Sequence, residues 1–251
     1  AMRYFYPNAN APKPAASAPA ALPDGAATPA ANGESAEAAP RTREGGLTNP
    51  ADIALEARDI KTLLASPARV KIDAPGLSGS INLVGGMVDD LSTNRHTAAL
   101  DQAQGLQRIY SPAGTPAQQY AQFGWTAGEG GAAVAVPNAQ TLWTAPAGAK
   151  LTPQTPVTLS WNNGAGVTFT LTYAIDADYM LTVTQGVSNG GAAPVAVKPV
   201  AQINRTDKTA AIDSFNVHAG PFGAFDEVVS FGPDYDELSE ARTMPMQGAP
   251  N

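Results

Sequence analysis

Apolar residues between positions 53 and 64 recur at helical spacing, and they predict one short amphipathic helix. The apolar positions are Ile53, Ala57, Ile60 and Leu64. Asn49 and Pro50 are residue types favoured at an N-cap and at the first helical position, and Asp52 supplies a negative charge in the first turn. Ser66-Pro67 predicts the end of the helix.

Beyond this helix the period of apolar residues changes to two, which predicts strands. The pattern is clearest over residues 157–175, where apolar side chains alternate with Thr and Ser around the turn Asn162-Asn163-Gly164. A second turn at Asp176-Ala177-Asp178 is followed by alternation through Val187. After Ser188-Asn189-Gly190-Gly191, we expect residues 195–200 to return as the next strand of an antiparallel meander.

Shorter strands are predicted upstream, and together the strands define the fold class. Val70 and Ile72 indicate one strand, and residues 77–83 indicate another, with Gly and Pro turns between them. Many short strands at close spacing favour a mainly all-β domain, a large β-sandwich of two packed antiparallel sheets. A single closed sheet is the other geometry that the pattern allows.

Residues 1–48 differ in composition and predict a disordered, partly extended linker. The segment is rich in Ala and Pro, with almost no large apolar side chain after Pro7, so it cannot bury enough surface to offset its chain entropy. The exception is Tyr4, Phe5 and Tyr6, an aromatic group of the kind found where a transmembrane helix leaves the bilayer. A chance aromatic cluster in a tail is the alternative.

Charge and residue usage exclude several classes of function. The chain of 251 residues has 22 acidic against 15 basic residues and a net charge of -7, which argues against binding nucleic acid or anionic lipid. The absence of cysteine removes disulfides, thiolate catalysis and Cys-based zinc sites. The chain has only two histidines, which argues against a His-rich metal site and against His-dependent catalysis.

Carboxylates occur mainly in predicted turns. Glu129 lies in a glycine-rich stretch that lacks the Lys-Ser/Thr ending of a phosphate loop, so we interpret it as a hairpin tip. Asp176, Asp178 and the pair Asp89-Asp90 lack the spacing of a calcium loop. We therefore interpret these four as turn residues.

The remaining candidates for catalysis are two histidines and three serines. His96 lies in a polar stretch and is expected to be a solvated loop residue, whereas His218 stands beside a Gly-Pro turn and is expected to have a structural role. No acid or nucleophile is paired with His218 by sequence. None of the serines has the context of a nucleophile elbow; they are Ser111, Ser160 and Ser214.

Aromatic and acidic side chains offer two further interpretations. Aromatic residues at alternating strand positions favour a core, with a sugar-binding platform as the alternative: Trp125, Trp143, Trp161, Tyr110, Tyr120, Tyr173 and Tyr179. The C-terminal region carries an acidic segment that we interpret as solvated, helical around residues 237–242, or else partner-facing. Its acidic residues are Asp226, Glu227, Asp234, Asp236, Glu237 and Glu240.

Seven short motifs occur in a fixed order along the chain. The longest runs from Arg69 to Leu91, RVKIDAPGLSGSINLVGGMVDDL. The others are Ser111-Pro-Ala-Gly-Thr-Pro116, Gln122-Phe-Gly-Trp125, Leu142-Trp-Thr144, the stretch 151–161, Asp178-Tyr-Met-Leu-Thr-Val-Thr184 and His218-Ala-Gly-Pro-Phe-Gly223. Each is weak alone, but in this order over residues 69–226 they specifically resemble the large periplasmic domain of the YidC family of Gram-negative membrane protein insertases.

The resemblance implies a β-supersandwich similar to galactose mutarotase, with a short N-terminal helix and a C-terminal helical segment. Residues 1–48 would then be a linker that follows a transmembrane helix, and residues 49–251 a domain on the periplasmic side of the bacterial inner membrane, ending in a segment that leads to the next membrane helix. The implied partners are SecD, SecF, the Sec translocon and nascent inner-membrane proteins. The family's insertase machinery lies in its membrane helices, so no residue here is assigned to it.

We therefore expect a non-enzymatic interaction module with no cofactor, no metal site and no catalytic residue, while its binding residues stay unassigned. A mutarotase needs a general acid and a general base in one cleft, and similarity of fold does not transfer activity. The alternative hypothesis is a periplasmic carbohydrate-binding or mutarotase-like sandwich. A passive spacer without a partner surface is a third possibility.

Overall fold

The computed structural model describes residues 47–97, 105–130, 134–206, 208–209, 218–225 and 228–240. The aromatic group at Tyr4 and most of the predicted linker lie outside these ranges. The described chain begins at Leu47, which is buried and forms an antiparallel bridge with Thr209. Residue 47 thus belongs to the packed part of the chain, one position before the predicted end of the linker.

The predicted helix is α1, Pro50–Leu64. The Asn49 side chain accepts a hydrogen bond from the Ala51 amide at 2.9 Å, as expected of an N-cap, and Pro50 occupies the first turn. The buried residue of α1, however, is Glu56 rather than a member of the predicted apolar stripe, and Ala57 is exposed. Glu56 accepts a hydrogen bond from the Ala117 amide at 2.8 Å, which fixes the helix to the loop that follows β4.

Seven strands form the larger sheet, in the order β10-β5-β3-β2-β1-β6, with β4 also paired to β3. Their bounds are β1 Arg69–Asp73, β2 Leu77–Asn82, β3 Met87–Thr97, β4 Leu106–Tyr110, β5 Gln119–Ala127, β6 Lys150–Leu151 and β10 Val197–Arg205. All pairs are antiparallel except β1 with β6. A bulge at Ser80/Ile81 interrupts the pairing of β2 with β3.

The second sheet has three strands in the order β7-β8-β9: β7 Val157–Asn162, β8 Val167–Ile175 and β9 Leu181–Asn189. The burial of β8 alternates along its whole length, as the sequence predicts. Its inward side chains, such as Phe169 and Tyr173, join one hydrophobic cluster with Ile72, Ile81 and Val88 of the larger sheet. The two sheets therefore form a sandwich, and the alternative of a single closed sheet is wrong.

The observed topology differs from the predicted meander at its fourth strand, and this part of the prediction is wrong. Residues 197–205 do not return beside β9; they cross to the larger sheet and pair with β5 over nine residues. Pro199 lacks an amide hydrogen, so it suits an edge strand with its nitrogen on the free side. The edge beside β5 provides that position.

The last described elements are the hairpin β11–β12, Phe222–Phe225 and Val228–Phe231, and the helix α2, Tyr235–Glu240. The hairpin is separate from both sheets. The helical C-terminal segment is confirmed, although it begins two residues before the predicted position. Among the described residues, neither helix combines the length and apolarity needed to cross a membrane.

Candidate functional site: an apolar groove at one end of the sandwich

An apolar groove of about 530 Å³ opens where the larger sheet meets the beginning of β9. Its floor is formed by core residues such as Leu77 and Leu91, which are 2% and 6% exposed. At its mouth Met180 and Ile203 are 64% and 69% exposed. The remaining lining residues are Ile109, Tyr110, Ala121, Phe123, Tyr179, Leu181, Ala201 and Gln202.

The groove exists because the two sheets differ in width. The smaller sheet ends at β9, whereas the larger sheet continues beneath it through β5 and β10. Apolar side chains of β4, β5 and β10 are therefore left partly uncovered beside the turn between β8 and β9. An exposed apolar concavity of this kind can take up apolar side chains of a partner and release water.

Polar side chains at the rim are clustered around Tyr179. Its hydroxyl lies 3.2 Å from His96 Nε2, and the Arg95 guanidinium lies 5.5 Å from the centre of its ring. Arg95 also donates to Asp178 at 2.8 Å and to the Ala177 carbonyl at 3.2 Å. These contacts hold the β8–β9 turn against β3, so the rim has a defined shape.

The structure places the predicted turn carboxylates in two different settings. Asp176 is a turn residue as predicted, since its side chain accepts from the amides of Asp178 and Met180. Asp89 and Asp90 are not turn residues: they lie within β3 and are 1% and 9% exposed. That part of the prediction is wrong, because sequence alone did not reveal the arginines that compensate the two charges.

Each buried aspartate has its own arginine. Arg69 pairs with Asp89, while Arg108 donates to Asp90 at 2.6 Å. Ser80 links the two pairs, because its hydroxyl donates to Asp90 and accepts from Arg69 Nε. Burial raises the pKa of Asp89, and the opposing effect of Arg69 is smaller. With balanced charges and satisfied carboxylates, this network is a structural element.

His218 has the structural role that was expected. Its Nδ1 lies 2.9 Å from an Asp234 carboxylate oxygen and its Nε2 lies 3.1 Å from the Pro221 carbonyl. The ring also packs edge-on against Phe231. His218 therefore joins the β11–β12 hairpin to the start of α2, and no hydroxyl group among the described residues is bonded to it.

The other histidine and Glu129 also differ in part from the predictions. His96 lies on β3 rather than in a loop, at its exposed end. Glu129 is exposed, but its segment is not a hairpin tip, because β5 pairs with β3 and β10 and not with the next strand. The amide of Gly128 instead donates to the Ala196 carbonyl at 2.8 Å, which extends the β5–β10 ladder.

Burial favours the core interpretation for most of the aromatic residues. Trp125, Trp143 and Tyr173 are 5%, 2% and 0% exposed, and Trp161 packs on Phe169 with ring centres 5.8 Å apart. The Tyr173 hydroxyl donates to the Gly86 carbonyl at 2.7 Å, and burial raises the pKa of this group. Tyr110 and Tyr179 line the groove, while Tyr120 lies half-buried on β5. Two of the three tryptophans are thus inaccessible as a sugar platform.

Serine and acidic candidates form no catalytic constellation within the described ranges. Ser111 is buried in a bridge to Gln119, and Ser160 lies on β7. Ser214, Asp226 and Glu227 lie outside the described residues. No group of three or more His, Cys, Asp or Glu side chains that could hold a metal ion occurs in the part of the chain that the structure describes.

Sequence reasoning missed the residues that make the groove. Met180 and Ile203 had no individual signal, because an apolar residue in a strand pattern is ordinarily assigned to the core. Ile203 belongs to β10, whose crossing to the larger sheet was not predicted. Tyr179, Asp178 and His96 were all named as candidates, but only the fold brings them together at the rim.

The fold and the site together define a class: a two-sheet β-sandwich with an uncovered apolar groove and a balanced internal charge network. A family model, the YidC periplasmic domain, matches residues 69–248. The chain therefore belongs to the YidC periplasmic domain family.

Curated relatives agree with this assignment. The chain is 42% identical over 174 residues to the membrane protein insertase YidC of Ruegeria sp. (strain TM1040), covering 69% of this chain and 28% of that protein. It is 45% identical over 157 residues to the YidC of Acidiphilium cryptum, with 62% and 26% coverage. For the YidC of Rhizobium etli the identity is 36% over 198 residues, with 79% and 33% coverage. The chain thus spans about a third or less of the length of these relatives.

Proposed function

We propose that this chain is the periplasmic interaction module of a YidC-type inner-membrane insertase, and that its apolar groove contacts nascent membrane proteins during insertion. The observation that carries the proposal is the groove itself, with Met180 and Ile203 exposed at its mouth. Isolated exposed apolar residues are ordinary, but a lined concavity is a feature of binding surfaces.

Membership of the family supports the proposed location and the proposed wider set of partners. Relatives are named as membrane protein insertases, and the matching model is that of their periplasmic domain. We infer that residues 49–251 form a domain on the periplasmic side of the inner membrane and that residues 1–48 link it to a preceding membrane helix. SecD, SecF and the Sec translocon are the proposed partners besides the nascent chains. The role is one of contact and chaperoning, without enzymatic chemistry.

Site-specific photocrosslinking in cells tests this proposal. A photoreactive phenylalanine analogue would replace Met180 or Ile203 in the full-length protein while an inner-membrane protein with a periplasmic loop is being synthesised. Leu142 is a matched control, because it is an apolar side chain with 61% exposure and does not line the groove. We expect adducts with the nascent chain or with Sec components from the groove positions and few from the control.

Two results would contradict the proposal. Equal adduct yields from Leu142 and from the groove positions would mean that the groove has no special role. A full-length protein lacking residues 69–226 that inserts its substrates at the normal rate would favour a passive spacer instead.

A further inference from the structure

The outer edge of β9 presents a row of backbone groups whose positions follow from its register with β8. The Asp176 amide donates to the Met180 carbonyl and the Gly190 amide to the Gly166 carbonyl, at 3.1 and 2.9 Å. Hydrogen-bonded pairs alternate in an antiparallel ladder, so the even-numbered residues of β9 bond to β8. The amides and carbonyls that face away from β8 belong to Leu181, Val183, Gln185, Val187 and Asn189.

This edge has no backbone partner among the described residues, whereas the opposite edge of the same sheet is paired at one position. Ser160 of β7 and Thr144 exchange two backbone hydrogen bonds of 2.9 Å on the far side of the sheet. β9 is the terminal strand, and no backbone group of the described residues bonds to its outer edge. Four of its residues are exposed besides Asn189: Thr182, Thr184, Val187 and Ser188.

The edge also lacks the features that usually prevent strand addition, which are charge and proline. The sequence of β9, LTVTQGVSN, contains neither. The exposed edge of the larger sheet is different, because β10 carries Lys198 and Pro199. The bond between Gly128 and Ala196 sets the register of β10 so that the Pro199 nitrogen is on the free side. The sandwich thus protects one of these two edges and leaves the other able to pair.

Cavities lie at both ends of the open edge. The apolar groove includes Leu181 at the start of β9. A second cavity of about 580 Å³ includes Val187 and Asn189 at the other end, together with Val195 and with one acidic and one basic residue, Glu129 and Lys198. Between them the Gln185 side chain donates to the Gly124 carbonyl at 2.6 Å, which joins β9 to the larger sheet behind the edge.

We propose that the outer edge of β9 binds an extended, uncharged polypeptide segment as an added strand, with side chains of that segment entering the two cavities. An added extended strand can pair with such a row of amides and carbonyls, spaced two residues apart, along its whole length. The absence of charge on β9 and the apolar groove select uncharged, partly apolar sequences. The source of the segment, an unfolded stretch of a nascent membrane protein, rests on the function proposed above.

Residue-resolved amide exchange of the full chain tests the strand addition. The probe is a peptide with a core of nine alternating valine and threonine residues, which matches the length of β9. A Gly-Ser pair is added at each end of this core for solubility, and both termini are capped. We expect the amides of Leu181, Val183, Gln185 and Val187 to exchange about tenfold more slowly with saturating peptide. The amides of Thr182 and Thr184, already bonded to β8, should change little. Protection without this alternation, or none at all, would overturn the proposal.

A pair of variants at one position separates backbone pairing from side-chain contact. Val187→Pro removes an outward amide that β8 does not use, so the fold should tolerate it, and Val187→Ala keeps the amide while trimming the side chain. We expect Val187→Pro to weaken peptide binding about tenfold and Val187→Ala to weaken it less. Equal peptide affinities of Val187→Pro and the parent would contradict the inference.

The outcomes distinguish this inference from the function on which it rests. Alternating protection of β9 that appears without peptide and grows with protein concentration would mean that a second copy occupies the edge, and the inference would fail. Crosslinks from the groove to nascent chains, without peptide protection of β9, would also refute strand addition while leaving the proposed function intact. Peptide protection of β9 without any crosslinks in cells would support strand addition and count against the proposed function.

Discussion

Asp89 and Asp90 are the residues whose surroundings differ most from what their type suggests. Aspartate in a stretch containing glycine is ordinarily a turn residue, yet both lie buried on β3 beside an arginine each. Burying an ion costs several kcal/mol unless a partner compensates it. The pairs therefore specify how β3 aligns with β1 and β4, and removing one member is expected to cost much more than removing both.

We expect Asp89→Asn to lower the free energy of unfolding by about 3–5 kcal/mol, because it leaves the buried Arg69 charge uncompensated. Urea denaturation of the purified chain, followed by tryptophan fluorescence, measures the change. The double variant Arg69→Met with Asp89→Leu is the control, and it should be less destabilised than the single variant. A single variant as stable as the parent would show that the pair contributes nothing.

At the scale of elements, α1 is attached to the domain by a polar contact rather than by an apolar stripe. Glu56 is fully buried, and its carboxylate accepts from the Ala117 amide in the loop between β4 and β5. Ile53, Ile60 and Leu64 are only half-buried. The helical period correctly predicted the helix. The packed face was predicted from apolar residues alone, so the buried Glu56 was missed.

Replacing Glu56 by Ala is expected to destabilise the docking of α1 by about 1–3 kcal/mol, because the buried Ala117 amide loses its acceptor. Glu56→Gln retains a carbonyl oxygen at the same position and should lose much less. Amide exchange of the helix reports the difference, with faster exchange over residues 53–64 in the alanine variant. Exchange in the alanine variant as slow as in the parent would mean that the apolar contacts alone hold α1.

The whole molecule depends on contacts between the turns of its two sheets. Gly76, in the turn between β1 and β2, approaches the Asp178 carbonyl so closely that an added Cβ would overlap with that oxygen. Asp178 belongs to the β8–β9 turn at the rim of the groove. A side chain at position 76 must therefore push the two sheets apart at this end.

Gly76→Ala is accordingly expected to lower the free energy of unfolding by about 1–3 kcal/mol and to change the chemical environment of Tyr179. Gly124→Ala is the matched control, because a Cβ added at that position would have no atom within 4 Å and the backbone there requires no glycine. Thermal denaturation and tyrosine NMR signals measure the two effects. Equal stability of the two variants would refute the close approach.

The sequence predicted β1, β2 and β7–β10, the N-cap of α1 and the two-sheet class, because these depend on local periodicity and turn chemistry, but it did not predict β3, β4 or β5. It did not predict the destination of β10, since pairing with β5 or β9 satisfies the same alternation of side chains. The groove follows from that pairing, because Ile203 and Ala201 reach it only on the larger sheet. The charge network was missed for a related reason: Arg108 comes from a strand eighteen residues beyond Asp90.

The bridge between Leu47 and Thr209 has a mechanical consequence. Lys208 also binds Asp52 at 3.0 Å, and the Arg205 guanidinium lies 4.2 Å from the centre of the Tyr235 ring. The chain before α1 and the chain after β10 therefore meet at one corner. Tension applied between these two stretches would act first on the contacts at this corner. These contacts would have to break before the force reached the two sheets.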